Sequence, residues 1–404
     1  MLTIERENDF ALLDNSDQWD AISGGIPFRQ SHWLRTWWNA FAEDLGPSAE
    51  PYLVTARDEN QNLVAVLPLY RFRHRGRSVL SAIGQGAACT DFVSVLSSLD
   101  VDRLELGRQI GIGVGELSRS PADAWDRIDL DGMVEGDDAI GGLASGLQEC
   151  RATVQAISRM SVWARSTDGL TWDEYTSQLS RTNRRKTRQR SLRVESTDDL
   201  AWKFPETEAE VVEATEMLIK IHQKRWTAVG QPGSFALPAM KRFIGDLTIE
   251  LFRKNQLRMP ILCRSGEPIA VELQIQAENR VLYNYSTGMD CNHEDIEPGH
   301  IMTMSSLRYA FENGLLAMNL MRGDEPYKAR MRAEPQKLIR MFALAPARST
   351  PIQRAAWQAA WDAKQWVRHQ LGRPSVDQIN LTGESTESDE KILPSDQSET
   401  ANLN

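Results

Sequence analysis

Cysteine and histidine are scarce in this chain, which has four cysteines and six histidines among its 404 residues. The cysteines form no C-x-x-C pair, and no histidines follow them at the spacing of zinc ligands. The sequence therefore predicts neither a zinc site nor a disulfide framework. No apolar run approaches the ~18 residues of a membrane span, and the first residues carry acids where a signal peptide needs a basic flank. We therefore expect a reduced, cytoplasmic protein with no metal and no membrane span.

An overall excess of basic charge is also lacking. The formal net charge is −10, and residues 373–404 contribute −5 of it, from seven acids and two bases. The remainder is only mildly acidic, which argues against a protein that wraps duplex DNA by counterion release. The segment 373–404 is rich in Ser, Thr, Glu and Asp and poor in apolar residues, so we expect it to be disordered.

The length of the chain predicts two domains, at roughly 150 residues per domain. In the first part, Trp33, Trp37 and Phe41 mark one apolar face of a helix. Apolar runs predict strands at 52–55, 63–69, 91–95, 126–130 and 153–163, and helical patterns occur at 101–118 and 137–149. This order predicts an α+β unit over residues 1–170.

A basic helix at 171–193 leads to a second unit at 194–347. The predicted elements of that unit are helices at 207–226 and 238–254, strands at 257–263, 269–276 and 281–287, a helix at 300–313, and strands at 317–321 and 338–344. We expect a last helix at 348–372. The order helix, helix, three strands, helix, strand, strand is that of an acyl-CoA N-acyltransferase unit.

Seven stretches carry a more specific resemblance, and they occur in the same order as in relatives. They are PFRQSHWLRTWW (27–38), SRTNRRKTRQRSLR (180–193), IHQKRWTAVGQPGSF (221–235), GEPIAVELQIQ (266–276), YNYSTGMD (283–290), EPGHIMTMSSLRYAFENG (297–314) and RGDEPYKARM (322–331). The chain resembles GNAT-superfamily acetyltransferases of the CelD/BcsL cellulose-biosynthesis type, distant relatives of the Fem-type aminoacyltransferases. The resemblance implies an α+β fold of tandem GNAT-like units with mixed central sheets flanked by helices. It also implies an acyl-CoA or acetyl-CoA donor and chemistry mainly in the second unit.

Four residues are candidates for acid and base chemistry. In the turn RGDEPYK, Asp324 could take a proton from an amine and Tyr327 could protonate a leaving thiolate, although a salt-bridged loop is the alternative. His222 is a second candidate base, or a core histidine packed near Trp226. Glu272 stands in an otherwise apolar strand, where a carboxylate is either paired or functional.

Eight residues are candidates for holding the donor. Pro298, Gly299 and His300 open a helix whose N-terminus suits a pyrophosphate, but the acids at 294, 295 and 297 would repel it, and an ordinary helix start is the alternative. The backbone around Ser286 and Gly288 could polarise the thioester carbonyl. Lys328 could hold a phosphate or carboxylate. Arg184 and Arg185 belong to a run of seven basic residues in thirteen, which is a solvated face, a phosphate site or a nucleic-acid site.

These observations predict an N-acyltransferase that moves an acyl group from acyl-CoA to an amine acceptor, such as an amino sugar or envelope precursor in exopolysaccharide or cell-envelope biosynthesis. One alternative is a Fem-like transferase whose donor is aminoacyl-tRNA. The other is a non-catalytic subunit of a polysaccharide assembly system. Asn319 favours the latter, because the resemblance implies an aspartate at that position.

Overall fold

Alternating apolar residues build one continuous mixed sheet that runs through both halves of the chain. The computed structural model describes residues 2–14, 16–293, 295–370, 378–379 and 381. Within them the strands are β1 (Thr3–Glu7), β2 (Glu50–Arg57), β3 (Leu63–His74), β4 (Arg77–Ala82), β5 (Leu96–Ser97), β6 (Arg127–Val134), β7 (Thr153–Ser166), β8 (Leu200–Lys203), β9 (Leu257–Arg258), β10 (Ile261–Arg264), β11 (Glu267–Gln276), β12 (Val281–Met289), β13 (Ala317–Arg322), β14 (Glu334–Leu344) and β15 (Gln378–Ile379).

Helices flank this sheet, as expected for an α+β protein. They are α1 (Ala11–Asp14), α2 (Ser16–Ala21), α3 (Ser31–Phe41), α4 (Arg103–Leu117), α5 (Asp138–Glu149), α6 (Trp172–Gln178), α7 (Arg181–Ser196), α8 (Glu208–Ala228), α9 (Pro238–Arg253), α10 (Pro298–Glu312), α11 (Pro326–Arg330) and α12 (Pro351–Gln370). Side chains cap several of these helices: α8, for example, begins with a capping box between Thr207 and Glu210. The helix predicted at 348–372 corresponds to α12.

The sheet order shows that the two halves exchange strands. The strands follow the order β1-β2-β3-β4-β6-β14-β7-β13-β12-β11-β10-β8. β14 comes late in the chain, yet it lies between β6 and β7, and β7 in turn lies between β14 and β13. The units predicted at 1–170 and 194–347 therefore share a central pair of strands, and β14 completes the sheet of the first half.

Three predictions of secondary structure need correction. Residues 91–95 form no strand, because Phe92 has a left-handed backbone (φ 64°) and the Asp91 carboxylate turns inward to Arg322. The strands β1, β4, β5, β8 and β15 are missing from the sequence-based prediction. The basic helix expected at 171–193 is two helices, because the backbone is extended at Leu179 (ψ 154°) and Ser180 caps the second helix.

The tryptophans near the start of the chain form the core between the two halves. Trp33 on α3 is fully buried and packs edge-on against Phe243 of α9, with ring centroids 5.1 Å apart. Its indole Nε1 donates to Thr90 Oγ1 at 2.9 Å. Trp37 is 1% exposed and stacks on Phe41. These rings join the halves by packing, which accounts for the helical spacing seen in the sequence.

Most of the segment predicted to be disordered, 373–404, lies outside the described residues. Within it, β15 pairs with β7, through Gln378 opposite Ile157 and Ile379 opposite Ala156. At least this short part of the segment is therefore ordered against the central sheet.

The sheet contains a gap where β12 and β13 separate. β12 and β13 run parallel, and their register covers only three residue pairs, ending at Tyr283 opposite Asn319. Beyond Tyr283 the two strands diverge, and β12 continues to Met289 paired only with β11. A bulge on this pair leaves Tyr285 without a register partner on β11.

Candidate active site

A cavity of about 450 Å³ lies beside the gap between β12 and β13. Its volume is within the range of small-molecule pockets. Residues from α7, α8, β11, β12, α10 and α11 line it. Four residues predicted from the sequence meet there, namely Glu272, Gly299, His300 and Tyr327.

Glu272 is a buried carboxylate in the wall of the cavity, with 1% of its surface exposed. Its Oε2 accepts hydrogen bonds from Gln274 Nε2 at 2.5 Å and Ser306 Oγ at 3.1 Å. Its Oε1 accepts from Asn284 Nδ2 at 3.3 Å and Thr287 Oγ1 at 3.4 Å. All four partners are uncharged, so Glu272 is held in place without an ion pair among the described residues.

Burial raises the pKa of Glu272 above its ordinary value, because low-dielectric surroundings disfavour the charged form. The hydrogen bonds from Ser306, Asn284 and Gln274 and the nearby charge of Arg258 act in the opposite direction. A carboxyl group with a raised pKa that lines a cavity and is held by neutral donors is suited to exchange a proton with a bound ligand.

Tyr327 lies on α11 and also lines the cavity. Its hydroxyl makes no hydrogen bond within the part of the chain that the structure describes. Burial raises the pKa of this phenol, and the charges of Glu325 and Glu272 raise it further while Arg225 lowers it. The hydroxyl therefore stays protonated and is free to donate to a ligand.

The N-terminus of α10 forms another part of the wall, through Gly299 and His300. Pro298 is the first helical residue, and Glu297 before it has a left-handed backbone (φ 53°) and provides no side-chain cap. The Gly299 N–H has no partner among the described residues. Burial and the charge of Lys186 lower the pKa of His300 to about 4, so its imidazole is neutral at pH 7.

Two of the three acids expected to repel an anion from this helix end are paired with basic side chains. Glu297 pairs with Lys186 at 2.5 Å and with Arg190 at 2.9 Å. Asp295 pairs with Arg193 at 3.6 Å and with Arg264 at 3.1 Å. The helix N-terminus is therefore compatible with an anionic ligand, in contrast to the expectation from the sequence. Glu294 lies outside the described residues.

His222 does not line the cavity. Its ring packs edge-on against Phe235 at 4.7 Å and near Trp226 at 5.9 Å. Burial lowers its pKa, and its Nδ1 lies 3.3 Å from Gln223 Oε1. This is the environment of a core histidine, the alternative considered for it from the sequence.

Asp324 and Lys328 hold the turn between β13 and α11. Asp324 Oδ1 accepts from Trp163 Nε1 at 3.1 Å and from the Ser161 N–H at 3.3 Å. Lys328 is 2% exposed, and its Nζ donates to the carbonyls of Met321, Arg322 and Gly323 at 3.0–3.1 Å. The expected phosphate or carboxylate ligand role of Lys328 is corrected: its donors are used by the backbone. Asp324 likewise serves β7 and not the cavity.

The other predicted donor-binding residues lie near the cavity or at its edge without lining it. Arg184 is exposed and donates to the Ser177 carbonyl at 3.1 Å, and Arg185 is exposed on the same helix. Ser286, Gly288 and Pro298 do not line the cavity, although their neighbours Thr287 and Gly299 do. Gly288 has a packing role, because a Cβ there would lie 3.0 Å from the Leu218 carbonyl of α8.

Asn319 does not line the cavity either. Its Oδ1 accepts from the Met321 N–H at 2.8 Å, where Met321 has a left-handed backbone (φ 58°). The amide therefore supports the irregular end of β13. Glu272 supplies a carboxylate to the cavity from β11, so Asn319 is no longer evidence against activity.

Sequence reasoning missed several residues of the site. Gln274, Asn284 and Ser306 hold Glu272, and Arg225 and Arg330 line the cavity. Gln274 lies two residues after Glu272 and is completely buried. Two polar residues at alternate positions of an apolar strand were a signal that could have found this network.

The described residues contain neither a metal-binding cluster nor a membrane-spanning helix. No group of three or more His, Cys, Asp or Glu side chains could hold a metal ion there. No helix in the described ranges is long and apolar enough to cross a membrane.

Comparisons with known proteins agree with this arrangement. Residues 181–329 match the family profile described as Acetyltransferase (GNAT) domain. None of the curated proteins is significantly similar in sequence. The match supports the GNAT part of the resemblance over residues 181–329, and the CelD/BcsL type stays a prediction.

Solved structures support the fold. FemX is similar with a TM-score of 0.58 at 13% identity, covering 85% of this chain and 98% of FemX. A conserved protein of unknown function from Bacteroides thetaiotaomicron has a TM-score of 0.51 at 12% identity, covering 85% of this chain and 100% of that protein. The fold is thus GNAT-like, with a mixed sheet flanked by helices.

Proposed function

We propose that this protein is an N-acyltransferase that transfers an acyl group from acyl-CoA to an amine. The observation that carries the proposal is Glu272, a buried carboxyl group with a raised pKa in the wall of a ligand-sized cavity that Tyr327 also lines. A base for an ammonium proton and an acid for a thiolate are the two groups that this reaction needs.

In this mechanism the amine nitrogen attacks the thioester carbonyl carbon, and the carbon–sulfur bond breaks. Glu272 accepts the proton that the amine loses, and the Tyr327 hydroxyl gives its proton to the departing thiolate. The backbone of β12 from Asn284 to Met289 has no strand partner on the side of β13. Its N–H groups can polarise the carbonyl and bind the amides of the donor.

The helix end of the cavity supports a phosphate-bearing donor. The unpartnered Gly299 N–H and the dipole of α10 favour an anion there. The acids of the preceding loop that the structure describes are paired with basic side chains of α7 and β10. We assign the pyrophosphate of acyl-CoA to this end. For the acceptor we propose an amino sugar or an envelope precursor, in exopolysaccharide or cell-envelope biosynthesis.

Isothermal titration with acetyl-CoA and with a longer acyl-CoA tests this function. We expect micromolar binding to the wild-type chain and a strong loss in Thr303→Trp, because Thr303 lines the cavity and an indole would fill it. The control Glu312→Trp places the same ring on an exposed position of α10 and should bind normally. No binding at millimolar acyl-CoA, or equal binding by both variants, would contradict the proposal.

A second candidate donor is aminoacyl-tRNA. Arg181, Arg185 and Arg188 on α7 are exposed, and within the described residues their side chains have no ion-pair partner. They could contact a phosphate backbone. Such binding weakens steeply with salt, so tRNA binding measured at low and moderate ionic strength separates this candidate from the first.

A further inference from the structure

Two arginines that line the cavity lack a partner. Arg225 comes from α8 and Arg330 from α11. Neither guanidinium has a hydrogen-bond or ion-pair partner within the described part of the chain. The acids of the cavity do not neutralise them: Glu325 pairs with Lys328 at 2.9 Å, and Glu272 is bound by neutral donors.

These arginines lie away from the end of the cavity that we assign to the donor. The electrostatic neighbours of Tyr327 are Glu325, Glu272 and Arg225. Those of His300, at the N-terminus of α10, are a different set, with Lys186 the main cation. Arg225 therefore belongs to the Tyr327 side of the cavity, and Arg330 lies on α11, the same short helix as Tyr327. The proposed function leaves this side to the acceptor.

The chemistry of an unpaired guanidinium in a cavity is specific. Its planar donors match the two oxygens of a carboxylate or phosphate, and such charge-assisted pairs are stronger than neutral hydrogen bonds. The attraction is also larger in a partly enclosed site than in bulk water. Lys186, a third cation in the wall, is already bound to Glu297 at 2.5 Å.

We propose that the amine acceptor carries an oxyanion, either a phosphate or a carboxylate, and that Arg225 binds it with Arg330 beside it. This inference rests on the proposed function, because it gives the other end of the cavity to acyl-CoA. Amino sugar phosphates and amino acids have this chemistry. Polyamines and uncharged amino sugars do not.

The test is a titration of the full chain, saturated with CoA, with inorganic phosphate and separately with acetate. CoA occupies the donor end, so the remaining site should bind at least one probe, and the preferred probe identifies the oxyanion. We expect Arg225→Gln to weaken this binding about tenfold or more. Lys220→Gln, which removes an exposed charge from the same helix, should leave it unchanged. Arg330 is exposed, so Arg330→Gln should fold normally, and it should weaken the binding in the same direction. This second variant keeps the test informative if Arg225→Gln misfolds.

Absence of binding of both probes at tens of millimolar would overturn the proposal, as would equal binding by wild type and both arginine variants. Failure of CoA itself to bind would count against the proposed function only. In that case the same probes and variants, titrated without CoA, still test the arginine site.

Discussion

At the scale of single residues, the reactivity of the cavity depends on how Glu272 is held. Its carboxyl group combines burial, which raises its pKa, with four neutral hydrogen-bond donors that keep it in one orientation. A charged partner would have lowered the pKa and fixed the carboxylate as a structural group. Neutral donors leave the carboxyl group able to take up a proton from a ligand.

We expect Glu272→Gln to lower acyl transfer by about 100- to 10,000-fold, which is the typical contribution of a general base. Acyl-CoA binding should persist, since the side chains are nearly the same size. The rate of thiol release is the measurement. Glu267→Gln removes an exposed carboxylate from the same strand and is the matched control. Equal loss in both variants would argue against a catalytic role.

The raised pKa of Glu272 also predicts how the substitution Glu272→Gln changes the stability of the protein with pH. The folded state raises the pKa of Glu272, so it binds a proton more readily than the unfolded state does. The stability from this group is therefore present at low pH and is lost as the pH rises through the folded pKa. Urea unfolding at about pH 5 and pH 8 should show Glu272→Gln gaining stability relative to wild type at the higher pH. A difference that does not change with pH would contradict the raised pKa.

Tyr327→Phe removes only the hydroxyl that lacks a protein partner. We expect a decrease in kcat of about 10- to 100-fold with little change in KM for acyl-CoA, because the acid acts on the leaving group. A thioester with a more acidic thiol should restore much of the rate. No response to the leaving group would assign Tyr327 a packing role.

Residue chemistry was predictable from sequence only in part. An acid in an apolar strand and a tyrosine in a polar turn were informative, and both Glu272 and Tyr327 line the cavity. His222, Asp324 and Lys328 have equally suitable chemistry. Packing occupies His222, N–H donors of β7 bind Asp324, and backbone carbonyls bind Lys328. Such contacts depend on tertiary structure and leave no local pattern in the sequence.

At the scale of elements, the turn between β13 and α11 shapes one wall of the site. Lys328 binds three backbone carbonyls of this turn and thereby places Tyr327 at the cavity. Gly323 has φ 119°, and a Cβ there would lie 2.6 Å from the Glu325 carboxylate. The turn therefore requires a glycine at position 323, and its backbone is held in one conformation.

Lys328→Met should therefore destabilise the protein by about 2–4 kcal/mol, because three buried or partly buried carbonyls lose their donor. Denaturant unfolding measures this, with the exposed Lys337→Met as control. If Lys328 were a phosphate ligand, the variant would instead keep its stability and lose acyl-CoA binding.

The close packing of α4 against α5 gives a second prediction at this scale. A Cβ at Gly146 would lie 2.0 Å from the Arg108 carbonyl of α4, so the helices pack with their backbones in contact. We expect Gly146→Ala to cost about 1–3 kcal/mol or more. Gly245→Ala on α9, where nothing lies within 4 Å, should gain up to about 1 kcal/mol. Equal effects on thermal unfolding would contradict the close packing.

Most elements could be predicted, because amphipathic helices and apolar strands have strong local patterns. The failures have physical reasons. β8 has only four residues and lies at the sheet edge, and β4 begins among polar residues. Asp91 and Phe92 look strand-like in sequence, but an ion pair with Arg322 and a left-handed backbone turn them away.

At the scale of the whole molecule, the shared strands make the two halves dependent on each other. β14 completes the first half of the sheet, and β7 bridges to β13 in the second. The sequence predicted two units but not this exchange, because strand order between distant segments has no local signal. The boundaries at 170 and 194 therefore stay predictions.

We expect residues 1–170 and 171–404, expressed separately, to lack a cooperative thermal transition. Each would expose strand edges that the other covers. Co-expression should restore a complex that unfolds in one transition. Circular dichroism during heating measures this, and independent cooperative unfolding of either fragment would contradict the account.

The most direct test of the central claim is a structure of the chain with acetyl-CoA. The account predicts the thioester inside the cavity, with its sulfur about 3 Å from the Tyr327 hydroxyl, its carbonyl carbon open to an amine beside Glu272, and its pyrophosphate at the N-terminus of α10. A thioester bound outside this cavity, or one whose sulfur lies far from both side chains, would contradict it.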